Sequence, residues 1–245
     1  MIDIFIKSYY KDFKMLNYCL KSIEKYLTGY NKIIIVIPKK DYQIYQSIVH
    51  TNLPIELHVV EEYGDGYLYQ QFIKMTAYKY CDSQFIMYVD SDCIFDKHIN
   101  IQSLVSNGQP EILYTHYSKV GDAICWKQCT ERFMNDTVHF EFMRRLPLIY
   151  HRETLETIHN LEPNLESLVM NSGRFSEFNA LGAWAFVHHK DKYRFENTDN
   201  WQYVEPLNIQ LWSHCRNNNS PLERLEYKKA IDTINKVLEL NITEL

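Results

Sequence analysis

The sequence lacks an excess of basic residues, a long apolar run and any CxxC pair. Lys and Arg number 26 against 31 Asp and Glu, so the formal net charge is −5. A nucleic-acid-binding protein needs surplus cations to replace the counterions of phosphate, and this balance argues against nucleic acid as a partner. No apolar run approaches the roughly 20 residues of a membrane helix, so we expect no transmembrane segment.

The six cysteines give no sign of a zinc site or a disulfide framework. Cys125 and Cys129 are four positions apart, which places them on one face of a helix and does not by itself make a zinc site. We expect free thiols in a reducing compartment. The chain begins directly with a strand-like run, from which we expect no signal peptide and a cytoplasmic rather than secreted protein.

Apolar runs alternate with helical patterns over the first part of the chain. Strands are predicted at 2–6, 32–38 and 55–60, with helices at 13–27 and 41–50 between them. This alternation predicts a βαβ sheet covered on both faces, with the doubly apolar second strand at its centre. Ligands of such sheets bind beyond the carboxyl ends of the strands.

A further apolar run at 84–95 contains two carboxylates, Asp90 and Asp92, separated by one residue. Residues at i and i+2 of a strand point to the same side, so we expect both to project from the carboxyl end of a buried strand. Two like charges so close repel each other unless a cation lies beside them. Mg²⁺ or Mn²⁺ fits, because hard divalent ions prefer carboxylate oxygen. The alternative is two acids that simply solvate a turn, since so short a motif often occurs by chance.

The segment just before this run predicts a glycine-containing loop followed by a helix that reaches about Tyr80. Gln71, Lys74 and Tyr78 share one face of that helix. The helix leads directly into the strand of the two carboxylates, so Lys74 could contact a phosphate while Gln70 or Gln71 donates to hydroxyls. A solvated amphipathic helix is the alternative.

Three stretches together resemble the glycosyltransferases of the GT-A fold: the loop at 7–12, the helix Gly-Tyr-Leu-Tyr-Gln-Gln-Phe-Ile-Lys at 66–74, and Tyr-Val-Asp-Ser-Asp-Cys-Ile-Phe at 88–95. More narrowly, the chain is similar to a group of that fold that includes the capsid-glycosylating transferase domain of chlorella viruses. The resemblance implies a Rossmann-like α/β domain with a central, mostly parallel sheet flanked by helices. We expect that domain to span 1–215, with 216–245 as a C-terminal helix packed on it.

The resemblance also implies a nucleotide-sugar donor, usually UDP-linked, whose diphosphate is bridged to Mn²⁺ or Mg²⁺. Asp92 would bind the metal directly, and Asp90 would touch the ribose or reach the metal through water. In several GT-A enzymes a late histidine completes the metal shell, and His214 takes that place here. The residues expected to hold the donor are Lys7, Ser8, Tyr9, Asp12, Gln71, Lys74 and Asp90, with Tyr9 stacking on the base and Lys74 neutralising a phosphate.

Glu177 follows a glycine in a stretch that predicts a loop opening onto a helix. It resembles the carboxylate that inverting GT-A enzymes use as general base. The reaction needs one, because the acceptor hydroxyl must lose its proton as it attacks the anomeric carbon. The alternatives for Glu177 are a capping interaction with Ser176 and an ion pair with Arg174.

The remainder of the chain supports weaker predictions. Arg144 and Arg145 could serve an anionic group or be an exposed basic pair, and Trp201 or Trp212 could line a sugar pocket or belong to the core. Helices are predicted at 99–106, 123–142, 153–160 and 222–240, and a strand at 111–114. The last helix is expected to bury Leu225, Ile231, Ile234 and Leu238.

The sequence therefore predicts a metal-dependent glycosyltransferase that moves a sugar from a UDP-sugar to a hydroxyl of a carbohydrate or glycoprotein acceptor, with inversion. Two other classes stay open. A phosphohydrolase would use the first Asp as nucleophile, but that class expects the motif on the first strand with a Thr soon after, whereas here Cys93 follows. The other class is a domain that binds a nucleotide sugar without catalysis.

Overall fold

The computed structural model describes residues 1–211 and 221–244. Its strands are β1 (Ile2–Lys7), β2 (Leu27–Thr28), β3 (Ile33–Pro38), β4 (Ile55–Val60), β5 (Phe85–Tyr88), β6 (Cys93–Ile94), β7 (Ile99–Asn100), β8 (Val105–Ser106), β9 (Gln109–His116), β10 (Phe140–Glu141), β11 (Leu148–His151), β12 (Arg194–Asn197) and β13 (Ile209–Gln210). Its helices are α1 (Phe13–Tyr26), α2 (Tyr42–Ile48), α3 (Gly66–Met75), α4 (Lys127–Met134), α5 (Arg152–Leu161), α6 (Leu165–Met170), α7 (Glu177–His188) and α8 (Pro221–Leu238).

A five-stranded sheet in the order β11-β5-β1-β3-β4 lies at the centre. The strands β5, β1, β3 and β4 are parallel, and β11 joins the β5 edge antiparallel. The three strands expected at 2–6, 32–38 and 55–60 are confirmed, and β3 lies between β1 and β4 as its apolar character indicates. The fold is therefore mixed α/β with a mostly parallel central sheet.

Side chains of the sheet alternate between two apolar layers. Ile4 and Ile6 point into a layer shared with Leu16 and Leu20 of α1. Phe5 points the other way, into a layer built from α3, α5, α6 and α7. Burying an aliphatic side chain of this size contributes about 1.5–3 kcal/mol, so these two layers hold the helices on both faces of the sheet.

A second, smaller sheet in the order β10-β9-β12 includes the strand predicted at 111–114. The helix predicted at 99–106 is wrong, because the chain forms short strands around a 3-10 turn at Ile101–Leu104. The helix predicted at 123–142 is correct only for α4 and a preceding 3-10 turn. Asn135 adopts a left-handed conformation with φ of 50°, which ends α4 and sends the chain into β10.

The helix α8 packs against α1 through a cluster that includes Ala230, Ile234 and Val237. These residues follow the i, i+4, i+7 spacing of one helical face. The predicted burial of Ile234 is correct, but that of Leu225 is wrong, because this side chain is 49% exposed. No helix within the described ranges has both the length and the apolar content that crossing a membrane requires.

The cysteines that the structure describes are all free thiols: Cys19, Cys81, Cys93, Cys125 and Cys129. Cys215 lies outside the described residues. Cys125 is exposed in a 3-10 turn and Cys129 is buried in α4, so the spacing of four does not build a shared site here.

Replacing Gly182 with alanine should destabilise the fold, because α7 crosses Phe142 at this point. A β-carbon there would overlap the Phe142 side chain, with only 2.6 Å to its Cγ. Overpacking of this kind costs about 1–3 kcal/mol, which urea denaturation would measure as a lower free energy of unfolding. Gly66→Ala is the matched control, since its β-carbon would approach nothing closer than 3.7 Å. Equal stability of the two variants would contradict this packing.

Candidate functional site

Asp90 and Asp92 lie just beyond β5 rather than within it. The strand ends at Tyr88, and the backbone N–H of Cys93 donates to the carbonyl of Asp90 at 3.0 Å to close a turn. The prediction that strand alternation aims the two carboxylates is therefore wrong. A turn between β5 and β6 positions them instead, still at the carboxyl edge of the sheet.

These carboxylates face a cleft of about 1060 Å³. It lies beyond the carboxyl ends of β1 and β5, where ligands of parallel sheets bind. Its size is at the upper end of the range for small-molecule sites, roughly 300–1,000 Å³. The predicted site residues that line it are Lys7, Tyr9, Asp12, Gln71, Lys74, Asp90, Asp92 and Glu177.

Of the predicted site residues that the structure describes, Ser8 does not line the cleft. Ser8 is buried behind the cleft wall, and its hydroxyl has no hydrogen-bond partner among the described residues. His214 lies outside the described residues. Asp12 occupies the N-cap position of α1 without a side-chain capping bond, and its carboxylate accepts from the Ser91 hydroxyl at 3.2 Å. That bond ties the loop after β1 to the turn that carries the two carboxylates.

Lys74 is the centre of a buried charge cluster. Its side chain is 6% exposed, and its ammonium donates to Asp90 Oδ1 at 2.6 Å and to Glu177 Oε1 at 2.8 Å. The same nitrogen lies 4.8 Å from the centre of the Phe178 ring. Burial alone lowers the pKa of Lys74, but the carboxylates of Asp90 and Glu177 outweigh it and raise the pKa well above its ordinary value. Lys74 is therefore a permanent cation between two acids.

Glu177 is fixed at the start of α7 by its neighbours on α3. Its backbone N–H donates to Gln71 Oε1 at 2.9 Å, and Gln71 is itself buried. Burial raises the pKa of Glu177, while the Lys74 ammonium opposes that rise. Neither alternative pairing is present: Ser176 caps Asn179 instead, and the acid pairs with Lys74. A carboxylate with a raised pKa at a cleft wall is suited to proton transfer.

The beginning of α3 is also fixed. Asp65 accepts from the backbone N–H groups of Tyr67 and Leu68 at 2.8 and 3.1 Å, a helix cap. The hydroxyl of Tyr67 donates to the carbonyl of Phe175 at 3.1 Å, just before α7. The helices that carry Lys74 and Glu177 are thus held to each other at their N-terminal ends.

Several residues of the cleft gave no signal in the sequence. Trp126 lines the cleft. Trp201, one of the two tryptophans considered for a sugar pocket or the core, is 46% exposed and does not line it. Trp212, the other, lies outside the described residues. Asn208 lines the cleft from the segment just before β13. The backbone N–H of Leu211, just after β13, donates to the carbonyl of Asp92 at 2.8 Å and so holds this part of the chain against the turn of the two carboxylates. These contacts join parts of the chain that are distant in sequence and could not be found from local patterns.

Arg144 and Arg145 line the cleft but are not the exposed basic pair that the alternative interpretation expected. Arg144 pairs with Glu141, a fully buried carboxylate, and Arg145 pairs with Glu111. Glu141 thus compensates Arg144, whereas Glu111 is shared by Arg145 and Arg194 and compensates Arg145 only in part.

Asp90 and Asp92 are the residues that could bind a metal. Among the residues that the structure describes, no group of three or more His, Cys, Asp or Glu side chains is placed to hold one. Two carboxylates nevertheless suit Mg²⁺ or Mn²⁺ when substrate phosphates and water supply the other ligands. The donor set thus fits a metal that binds together with a diphosphate better than one held by protein alone.

A family model, described as Family of unknown function (DUF6492), matches residues 2–173. The matched region contains the central sheet, Lys74 and the two carboxylates after β5, and it ends before Glu177. No curated protein matches the chain.

Proposed function

The chain belongs to the DUF6492 family, and we propose that it is a metal-dependent glycosyltransferase of the GT-A type. It would transfer a sugar from a UDP-sugar to a hydroxyl of a carbohydrate or glycoprotein acceptor. One observation supports this most: Asp90, Asp92 and Glu177 line a single large cleft, at the sheet edge where nucleotides bind in α/β folds.

On the donor side, Asp92 and Asp90 would hold Mn²⁺ or Mg²⁺ jointly with the donor's diphosphate. The ion would supply electrostatic stabilisation of the leaving diphosphate, which is a major source of rate enhancement in such reactions. Tyr9 and Asp12 lie on the same wall and would hold the nucleoside. Lys74 keeps Asp90 in position through the 2.6 Å bond between them.

On the acceptor side, Glu177 would take the proton of the attacking hydroxyl. Its raised pKa suits it for this role, because a general base works best when its pKa lies near the working pH. One oxygen of Glu177 is bound to Lys74, and the carboxylate lines the cleft. Direct attack on the anomeric carbon with such a base would invert its configuration.

Thermal unfolding in the presence of nucleotides tests this proposal. UDP or UDP-sugars with Mn²⁺, at about 100 times the dissociation constant, should stabilise the protein by about 2.7 kcal/mol. For a chain of this size that corresponds to a rise in Tm on the order of 5–10 °C. The metal-dependent part of the rise should vanish in Asp92→Ala.

Other outcomes would assign the protein to a different class. Release of phosphate from simple monoesters, without nucleotide binding, would favour a phosphohydrolase. A Tm rise with UDP-sugars but no transfer or hydrolysis across a panel of acceptors would favour a binding domain. No shift with any nucleotide, with or without metal, would refute the proposal.

A further inference from the structure

A second buried lysine, Lys7, lies at the end of β1 on the floor of the same cleft. It is only 5% exposed. Its ammonium donates to the carbonyl of the adjacent Ser8 at 2.9 Å, and within 1–211 and 221–244 it forms no ion pair with a carboxylate. The Lys7 ammonium has three N–H donors, and the described residues supply one acceptor for them.

The acids nearest to Lys7 are engaged elsewhere. Asp41 accepts from the backbone N–H of Tyr10 at 3.0 Å, Glu62 pairs with Lys40, and Asp12 accepts from Ser91. The charge of Lys74, by contrast, is compensated by two carboxylates that its ammonium contacts directly. Of these two buried lysines, Lys7 is therefore the one whose positive charge has no carboxylate in direct contact and can serve an anionic ligand.

We propose that the Lys7 ammonium contacts an anionic oxygen of the bound ligand, namely the diphosphate of the nucleotide donor, and that Lys74 is a positioning residue for Asp90 and Glu177. The first part rests on the proposed function. A buried cation without a counterion is costly, and an anionic ligand would supply the missing partner. The sequence suggested that Lys74 contacts the phosphate and that Lys7 is one of several residues that hold the donor; the proposal moves the phosphate contact from Lys74 to Lys7.

The ionisation of Lys7 offers a direct readout. Burial lowers its pKa to about 8, opposed by the carboxylates of Glu62, Asp41 and Asp12 and reinforced by the Lys74 cation. At pH 8, Lys7 would be protonated in about half of the ligand-free molecules. A bound anion would raise the pKa of Lys7, so that Lys7 becomes fully protonated on binding. Relative to Lys7→Arg, whose charge is fixed, UDP binding to the wild type should therefore take up about half a proton more at pH 8. At pH 6.5, where Lys7 is already protonated and the terminal phosphate of UDP exchanges protons equally in both proteins, this difference should vanish.

Isothermal titration calorimetry with UDP and Mg²⁺ at pH 8, in two buffers of different ionisation enthalpy, would measure this uptake. Lys7→Arg should bind UDP without this additional proton uptake, because arginine stays charged. Lys7→Met should fold normally, bind UDP about 10–100-fold more weakly and bind uridine as the wild type does. Lys11→Met is the matched control: an exposed lysine on the cleft rim, whose loss should change UDP affinity less than threefold.

The outcomes separate this inference from the function on which it rests. If UDP binds to the wild type with no more proton uptake than to Lys7→Arg, and Lys7→Met binds it equally well, Lys7 does not contact the diphosphate, while the nucleotide site stands. If the wild type binds no UDP, the diphosphate assignment falls with the proposed function. A sulfate titration then tests whether Lys7 contacts an anion of any kind. A larger Tm rise in the wild type than in Lys7→Met would support that contact, and equal Tm rises in the two proteins would refute it.

Discussion

Replacing Lys74 with methionine should lower the free energy of unfolding by about 3–5 kcal/mol at neutral pH, the usual cost of removing one partner from a buried charge pair. The substitution leaves Glu177, 4% exposed, and the partly buried Asp90 without their shared cation. Methionine fills most of the lysine's volume, so the loss would report charge rather than a cavity. Urea denaturation followed by circular dichroism measures it.

The loss should also depend on pH. Without Lys74, the buried carboxylate of Glu177 binds a proton more readily in the folded state than in the unfolded state. Stability rises with falling pH wherever the folded state binds more protons, so the deficit of Lys74→Met should shrink between pH 8 and pH 5. Adding Glu177→Gln to Lys74→Met should recover part of the stability at pH 8, because it removes one of the two uncompensated charges.

Lys79→Met is the matched control, because Lys79 is exposed just beyond the end of α3. Its loss should change the free energy of unfolding by no more than about 0.5 kcal/mol. A Lys74→Met protein with wild-type stability across this pH range would show that the buried cluster contributes nothing to folding.

Local patterns were sufficient for the four parallel strands of the central sheet and for the first helices, but β11 at its edge was not predicted. β3 is a continuous apolar run because a central parallel strand is covered on both faces, and β1 is apolar except for Asp3 and Lys7. The helix α1 carries Leu16, Leu20 and Ile23 at helical spacing. The pattern failed where tertiary context decides: α4 ends at Asn135 instead of continuing to 142, and 99–106 forms short strands.

The sequence predicted which residues form the site more readily than it predicted which of those residues pair with each other. Strand order brings Lys7, Asp90 and Asp92 to one edge, and this follows from topology. The pairing of Lys74 with Glu177 joins residues 103 positions apart, on helices whose relative placement depends on Asp65, Gln71 and Tyr67 together. No single sequence feature encodes that arrangement. The assignment of Lys74 to a phosphate rested on the position of its helix and on the resemblance, and neither reveals the pairing with Glu177.

On the proposed function, Glu177→Gln should lower the turnover number for sugar transfer by about 10²–10⁴-fold, the usual contribution of a general base. Binding of UDP with metal should stay close to that of the wild type, because the amide oxygen can still accept from Lys74 and the Lys74–Asp90 bond is untouched. Steady-state rates of transfer, or of UDP-sugar hydrolysis with water as acceptor, measure the loss. Asp92→Ala is the comparison, since it should reduce metal-dependent donor binding instead.

A merely structural role for Glu177 would give a different pattern. If Glu177 removes the acceptor's proton, its loss should matter less for acceptors whose hydroxyl is already acidic, so the wild-type to variant rate ratio should fall from an alkyl alcohol to a phenol. The acidic limb of the wild-type pH–rate profile should also lie above the ordinary carboxylate range, because burial raises the pKa of Glu177, and should disappear in the variant. Equal rate losses for both acceptors, or wild-type turnover in Glu177→Gln, would remove Glu177 as the base. Retention of anomeric configuration in the product would remove direct inversion as well.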